Sequence, residues 1–150
     1  MENLKEYYEL CKTIKPELFY YPAFVKEETE CGTIGCLWGN APVLLPDKIF
    51  KFVKNTSTRF CSTKEYANSN INNYSNVDAI EDYFKPKLPF ERAILEYIFC
   101  GDGIYYPDGF ELDGINHWNM DIPLDIALSR FKLALDMLDK YYETKSQDLN

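Results

Sequence analysis

The last quarter of the chain places the tightest limit on the fold. Leu124, Leu128, Phe131, Leu135, Leu138 and Tyr142 recur every three or four residues, which is the spacing of one face of an α-helix. A stripe about five turns long must be buried, so the rest of the chain has to supply a matching apolar surface. Pro123 opens this helix, because the preceding Ile122 is biased toward extended geometry. The stripe ends before Thr144, and residues 145–150 are expected to fray.

Three further helices follow from the same argument. Leu4, Tyr7, Tyr8, Cys11 and Ile14 share one face of a segment that should stop near Pro16. Val77, Ile80, Tyr83 and Phe84 predict a helix that ends before Pro86. The segment from Pro89 to Cys100 has proline at its start and Gly101 just past its end, the usual asymmetry of a helix.

Between the helices the signals weaken. Residues 18–25 are an aromatic run broken by Pro22, read as a short helix or an extended connector, and Glu27, Glu28 and Glu30 form an acidic turn. Residues 48–54 follow a good N-cap in Asp47 and suit either a helix or a short strand. Residues 55–76 are rich in Asn, Ser and Thr and read as a polar surface loop. From Gly101 to Met120 the chain turns repeatedly, with room for at most a short hairpin. The expectation is a mainly α, single compact domain over residues 1–150, with long loops and at most a minor β-hairpin.

With 150 residues, 46% of them hydrophobic, the chain can bury a core without disulfides or a metal. Twelve Tyr and ten Phe offer more ring surface than such a core absorbs, so some rings should be exposed. The net charge of −8 disfavours nucleic acid and anionic membranes and favours basic partners. There is no apolar run of about 18 residues and the start, Met1 to Glu6, is polar, so a cytoplasmic protein is expected. Five cysteines, an odd number spread along the chain, read as reduced thiols.

The most unusual stretch is Cys31-Gly32-Thr33-Ile34-Gly35-Cys36-Leu37-Trp38-Gly39. From Thr33 it predicts a short helix lined by Cys36, Leu37, Trp38 and Ala41, with Gly35 and Gly39 allowing close packing on the C-terminal helix. Cys31 and Cys36 suggest a metal, but a structural zinc site needs a second ligand pair, and His117 is the sole histidine. No metal or cofactor is assigned. Cys36 as a nucleophile with His117 as base, oriented by Asn119 or Asp121, is an alternative reading as a cysteine hydrolase. Few strands and the burial expected of Cys36 count against it. Asp102, Asp108, Glu111 and Asp113 lack EF-hand spacing. A third reading, sequestration of a nucleotide, lacks a phosphate-binding loop or basic cluster in the sequence.

The segment from Ala93 to Ser129 contains no Lys or Arg, yet holds Glu96, Asp102, Asp108, Glu111, Asp113, Asp121 and Asp125. Tyr105, Tyr106, Phe110 and Trp118 stand among them. Exposed rings can anchor a basic protein surface that carboxylates steer into place. The candidate partner-binding residues are therefore Tyr105, Tyr106, Asp108, Glu111, Asp113 and Trp118, serving a non-enzymatic binding protein. Its partner would be a basic protein, including one that itself binds nucleic acid.

The stretch from Cys31 to Gly39 resembles the Cys-Gly-Thr-x-x-Cys-x-x-Gly motif of a group of small, uncharacterised bacteriophage proteins. In that group a helix precedes the motif, a later helix ends in Phe before a Gly/Asp/Tyr-rich turn, and an amphipathic helix closes the chain. Phe99 to Pro107 and the helix from Pro123 hold the last two places here. Leu37 and Trp38 depart from the small residues usual between the motif's second Cys and its last Gly, and the long polar loop is a second departure. The resemblance implies a small accessory protein acting in the host cytoplasm, in a class where inhibitors of host enzymes or host defence are frequent. It implies no activity.

Overall fold

The structure is a computed structural model and describes residues 1, 3–21, 27–29, 32–34, 36–54, 57–61, 76–115 and 122–149. The fold is mainly α with small antiparallel hairpins. In chain order the elements are α1 (Asn3–Cys11), a 3₁₀ turn (Pro16–Leu18), β1 (Glu27–Thr29), β2 (Gly32–Ile34) and α2 (Ala41–Leu44). They continue with β3 (Phe50–Lys54), β4 (Ser57–Cys61), α3 (Asn76–Phe84), α4 (Pro89–Cys100), β5 (Ile104–Tyr106), β6 (Phe110–Leu112) and α5 (Leu124–Asp148). Strands pair only with their sequence neighbours: β1 with β2, β3 with β4, β5 with β6.

The helices form where apolar periodicity and caps agree. Helix α4 begins with Pro89, which has no N–H to lose in a first turn, and Glu91 accepts a hydrogen bond from the backbone N–H of Leu88 at 3.0 Å. It ends on Gly101 at φ +79°, a left-handed cap that glycine adopts without steric cost. Helix α5 buries Leu124, Ala127, Phe131, Ala134, Leu135 and Leu138. The buried apolar side chains among the described residues belong to one cluster.

At its centre Trp38, fully buried, packs against Tyr7 of α1, Tyr83 and Phe84 of α3 and Phe99 of α4, with ring centroids 5.7 to 6.2 Å apart. Phe131 of α5 joins this group through Phe99, at 5.9 Å. A second ring group, with Phe90 stacked on Tyr141 at 4.2 Å and Phe110 edge-on to both, fastens the β5–β6 hairpin to α4 and α5. Edge-on and offset ring pairs add to the apolar burial, which explains how so many rings fit one small core.

Several sequence expectations need correction. Glu27 and Glu28 lie in a strand paired with β2, not in a turn. Thr33 also lies in a strand, and residues 36–40 form turns instead of the expected helix. Helix occurs only at Ala41–Leu44, where Pro42 falls in the first turn and has no N–H to lose there. Gly39 is buried, while Gly35 and Cys31 lie outside the described residues. Residues 50–54 resolve as a strand. The polar loop expected over 55–76 contains β4, with Phe50 opposite Cys61 and Phe52 opposite Arg59. Ladder hydrogen bonds hold such a hairpin without a long apolar run; residues 55–56 and 62–75 lie outside the described residues.

The expected frayed tail is also corrected, since α5 continues to Asp148. Thr144 and Ser146 hydroxyls donate to the carbonyls of Lys140 and Tyr142, at 3.0 and 2.9 Å, and Lys145 lies 3.8 Å from Asp148. Of these, the Lys145–Asp148 pair, three positions apart, lends local support to a stretch whose buried stripe has already ended. No helix among the described residues is long and apolar enough to cross a membrane.

Candidate binding surface

The β5–β6 hairpin is a two-faced ribbon. Strand alternation turns Ile104 and Phe110 into the core, with Tyr106 and Leu112 partly buried beside them. Tyr105 and Glu111, directly opposite each other, project outward. The connecting Pro107-Asp108-Gly109 places Asp108 at φ +66° and Gly109 at φ +82°. Asp tolerates the left-handed region better than most side chains and Gly adopts it freely, so Asp-Gly suits this turn.

Tyr105 is 70% exposed in a protein that buries most of its described rings. Its ring lies directly over Gly103: a Cβ on Gly103 would stand 2.6 Å from Tyr105 Cε2 and 2.7 Å from its hydroxyl. The missing side chain of Gly103 is therefore the seat of the exposed ring. On the same side, a cavity of about 420 Å³ opens between residues 101–103 and 113–115, with Tyr105, Asp102 and Asp113 in its wall. The two walls are held together by the Ile115 N–H donating to the Gly101 carbonyl at 2.8 Å. At Gly114 a Cβ would come within 2.6 Å of the Gly103 nitrogen, so only glycine permits this approach.

Beneath the hairpin, Arg130 of α5 donates from Nη1 to the Asp113 carbonyl at 3.2 Å, and its guanidinium lies 4.2 Å from the Tyr97 ring centroid. The arginine thus supports the hairpin through its backbone. The carboxylates of Asp102, Asp108, Glu111 and Asp113 are exposed and make no ion pair among the described residues. The surface is an exposed ring over Gly103 with four exposed carboxylates on and beside the hairpin, suited chemically to an ammonium or guanidinium group.

Of the six residues expected here, Tyr105, Asp108 and Glu111 are exposed on the β5–β6 hairpin and Asp113 is exposed directly after it. Tyr106 is half-buried, with its ring edge-on to Phe90 at 5.1 Å, and so helps fasten the hairpin. Trp118 lies outside the described residues. Asp102, Gly103 and Gly114 were not singled out as site residues. Their signal was Gly flanking Asp at Gly101-Asp102-Gly103 and again at Asp113-Gly114, a pattern of close backbone approach.

The alternative nucleophile is placed differently. Cys36 is 4% exposed, and burial pushes its thiol up to about 11, against the partial help of backbone N–H groups at Gly39 and Trp38. At neutral pH it is a thiol, which is a poor nucleophile. Its expected partner His117, with Asn119 and Asp121, lies outside the described residues. Cys11 is likewise buried, whereas Cys100 is exposed. Among the described residues no group of three or more His, Cys, Asp or Glu is placed to hold a metal. No known protein family, curated protein or solved structure matches the chain.

Proposed function

We propose that the chain is a non-enzymatic binding protein whose β5–β6 hairpin engages a basic patch on another protein. The observation that carries this reading is Tyr105, exposed yet seated on Gly103 beside Asp102 and Asp113. An exposed tyrosine ring offers a large contact area with only two side-chain torsions to immobilise, which favours its use as an anchor. The carboxylates at Asp108 and Glu111 extend the negative field along the hairpin and steer a basic surface toward it. With the phage resemblance, the proposed partner is a host protein with a basic surface, such as a nucleic-acid-binding or defence protein, met in the host cytoplasm.

The test is affinity capture from host lysate with the wild-type chain, followed by mass spectrometry and direct binding of the captured protein. Tyr105→Ala, and separately Asp108→Lys with Glu111→Lys and Asp113→Lys, should abolish capture while circular dichroism stays unchanged. Capture that survives both changes rejects the proposal.

A further inference from the structure

A second cavity, of about 410 Å³, lies between the start of α1 and the α3–α4 connection, and its wall includes Asn3, Tyr83, Lys85, Lys87 and Glu91. We infer that this cavity is a binding site for a small phosphate-bearing anion, held by Lys85 and Lys87. The inference is independent of the acidic hairpin and of any protein partner.

The charge of the wall points this way. Lys5, Lys12, Lys132 and Lys145 each have a carboxylate within 4 Å. Lys85 and Lys87, both exposed and two positions apart, have none among the described residues, and neither do Lys15, Lys48 and Lys140; what sets Lys85 and Lys87 apart is that they share one cavity wall. In a chain with 24 acidic and 16 basic residues, two unpaired ammonium groups on one cavity are a local inversion of the overall charge. The single carboxylate in the wall is engaged within the protein. Glu91 accepts hydrogen bonds from the backbone N–H of Lys87 at 2.5 Å and of Leu88 at 3.0 Å, and from the Tyr142 hydroxyl. The Met1 ammonium, 3.8 Å from Glu91, lies in the same wall.

A further observation concerns Lys85. Lys85 has φ +50°. It follows the last residue of α3 and its N–H donates to the Glu81 carbonyl at 2.8 Å, a place where glycine is usual. Pro86 follows directly, and a residue before proline is normally extended. A lysine is thus kept at a strained position that glycine would occupy freely. The helix C-terminus offers a cation some return there, but that effect alone does not require a second lysine on the same cavity.

Two ammonium groups match the double charge of a phosphate better than a single carboxylate, and lysine binds phosphate as a point charge. The volume is near the lower end of the range for small-molecule sites and suits a compact anion. The test uses sodium pyrophosphate as the probe, titrated calorimetrically into the whole protein at low salt near neutral pH. Saturable one-to-one binding is expected, weakened about tenfold or more by Lys87→Gln and by Lys85→Gly. Lys85→Gly should at the same time melt at a higher temperature than wild type without ligand, because glycine relieves the left-handed strain. Loss of binding therefore cannot be ascribed to unfolding. No saturable heat with the wild type, or affinity unchanged in both variants, overturns the inference.

Discussion

The Tyr7 hydroxyl donates a 2.6 Å hydrogen bond to the Leu37 carbonyl, thirty positions away, with both groups buried. It joins α1 to the turns that follow Cys36, the region of the chain with the least regular structure around its largest ring. Burial raises the Tyr7 hydroxyl well above its ordinary pKa, so it remains a donor at every ordinary pH. Tyr7→Phe keeps the ring but leaves the Leu37 carbonyl unpaired. The expected loss is about 1 to 3 kcal/mol, or roughly 2 to 4 °C in melting temperature per kcal/mol for a chain of this size. Urea unfolding checks it, and a change within error would mean that the carbonyl finds another donor.

Glu91 gives a pH dependence. Burial opposes its charge, but the Tyr142 hydroxyl, the backbone N–H groups of Lys87 and Leu88, and the Met1 amino group 3.8 Å away hold its carboxyl below the usual value. A depressed carboxyl contributes stability that is fully present above the ordinary glutamate pKa of about 4.3. That contribution is lost as the pH falls through the lower folded value. Glu91→Gln should lower stability at neutral pH and flatten the acid limb of the stability profile. Parallel acid limbs for wild type and variant would rule Glu91 out as its source.

Gly103 and Gly114 should respond differently to alanine. At Gly103 the added methyl meets only the far end of the exposed Tyr105 side chain, which can swing away. Stability should stay within about 0.5 kcal/mol, while the Tyr105 signals move in a two-dimensional NMR spectrum. At Gly114 the methyl meets the backbone of residues 101–103, and about 1 to 3 kcal/mol should be lost. Equal costs at the two sites would contradict the described packing.

The thiols offer a direct check on the hydrolase alternative. Cys11 and Cys36 are buried and Cys36 is pushed up to about 11, so neither should be alkylated by iodoacetamide in the native protein. Cys100 is exposed, but burial of its sulfur and the nearby Asp102 and Glu96 carboxylates also push it up to about 11. It should react slowly, and faster as the pH is raised. Peptide mapping separates the sites, and rapid labelling of Cys36 at neutral pH would revive the nucleophile.

What the sequence determined by itself is what depends on neighbours in the chain. The stripe from Leu124, the proline and glycine bracketing α4, and the stop before Pro86 each mark a helix through local periodicity and capping, and the structure contains each. The outward place of Tyr105 and Glu111 follows from the period of a strand, once a hairpin is granted. What only the tertiary structure decided depends on contacts between distant residues. Strand β4 has too few apolar residues to announce itself and exists through its ladder with β3. The seat of Tyr105 depends on the Gly114 backbone approaching residues 101–103, and the pairing of Lys85 with Lys87 on one cavity depends on where α1 meets α3. Local propensity carries no signal for such meetings, because their free energy arises only when the segments are already packed together.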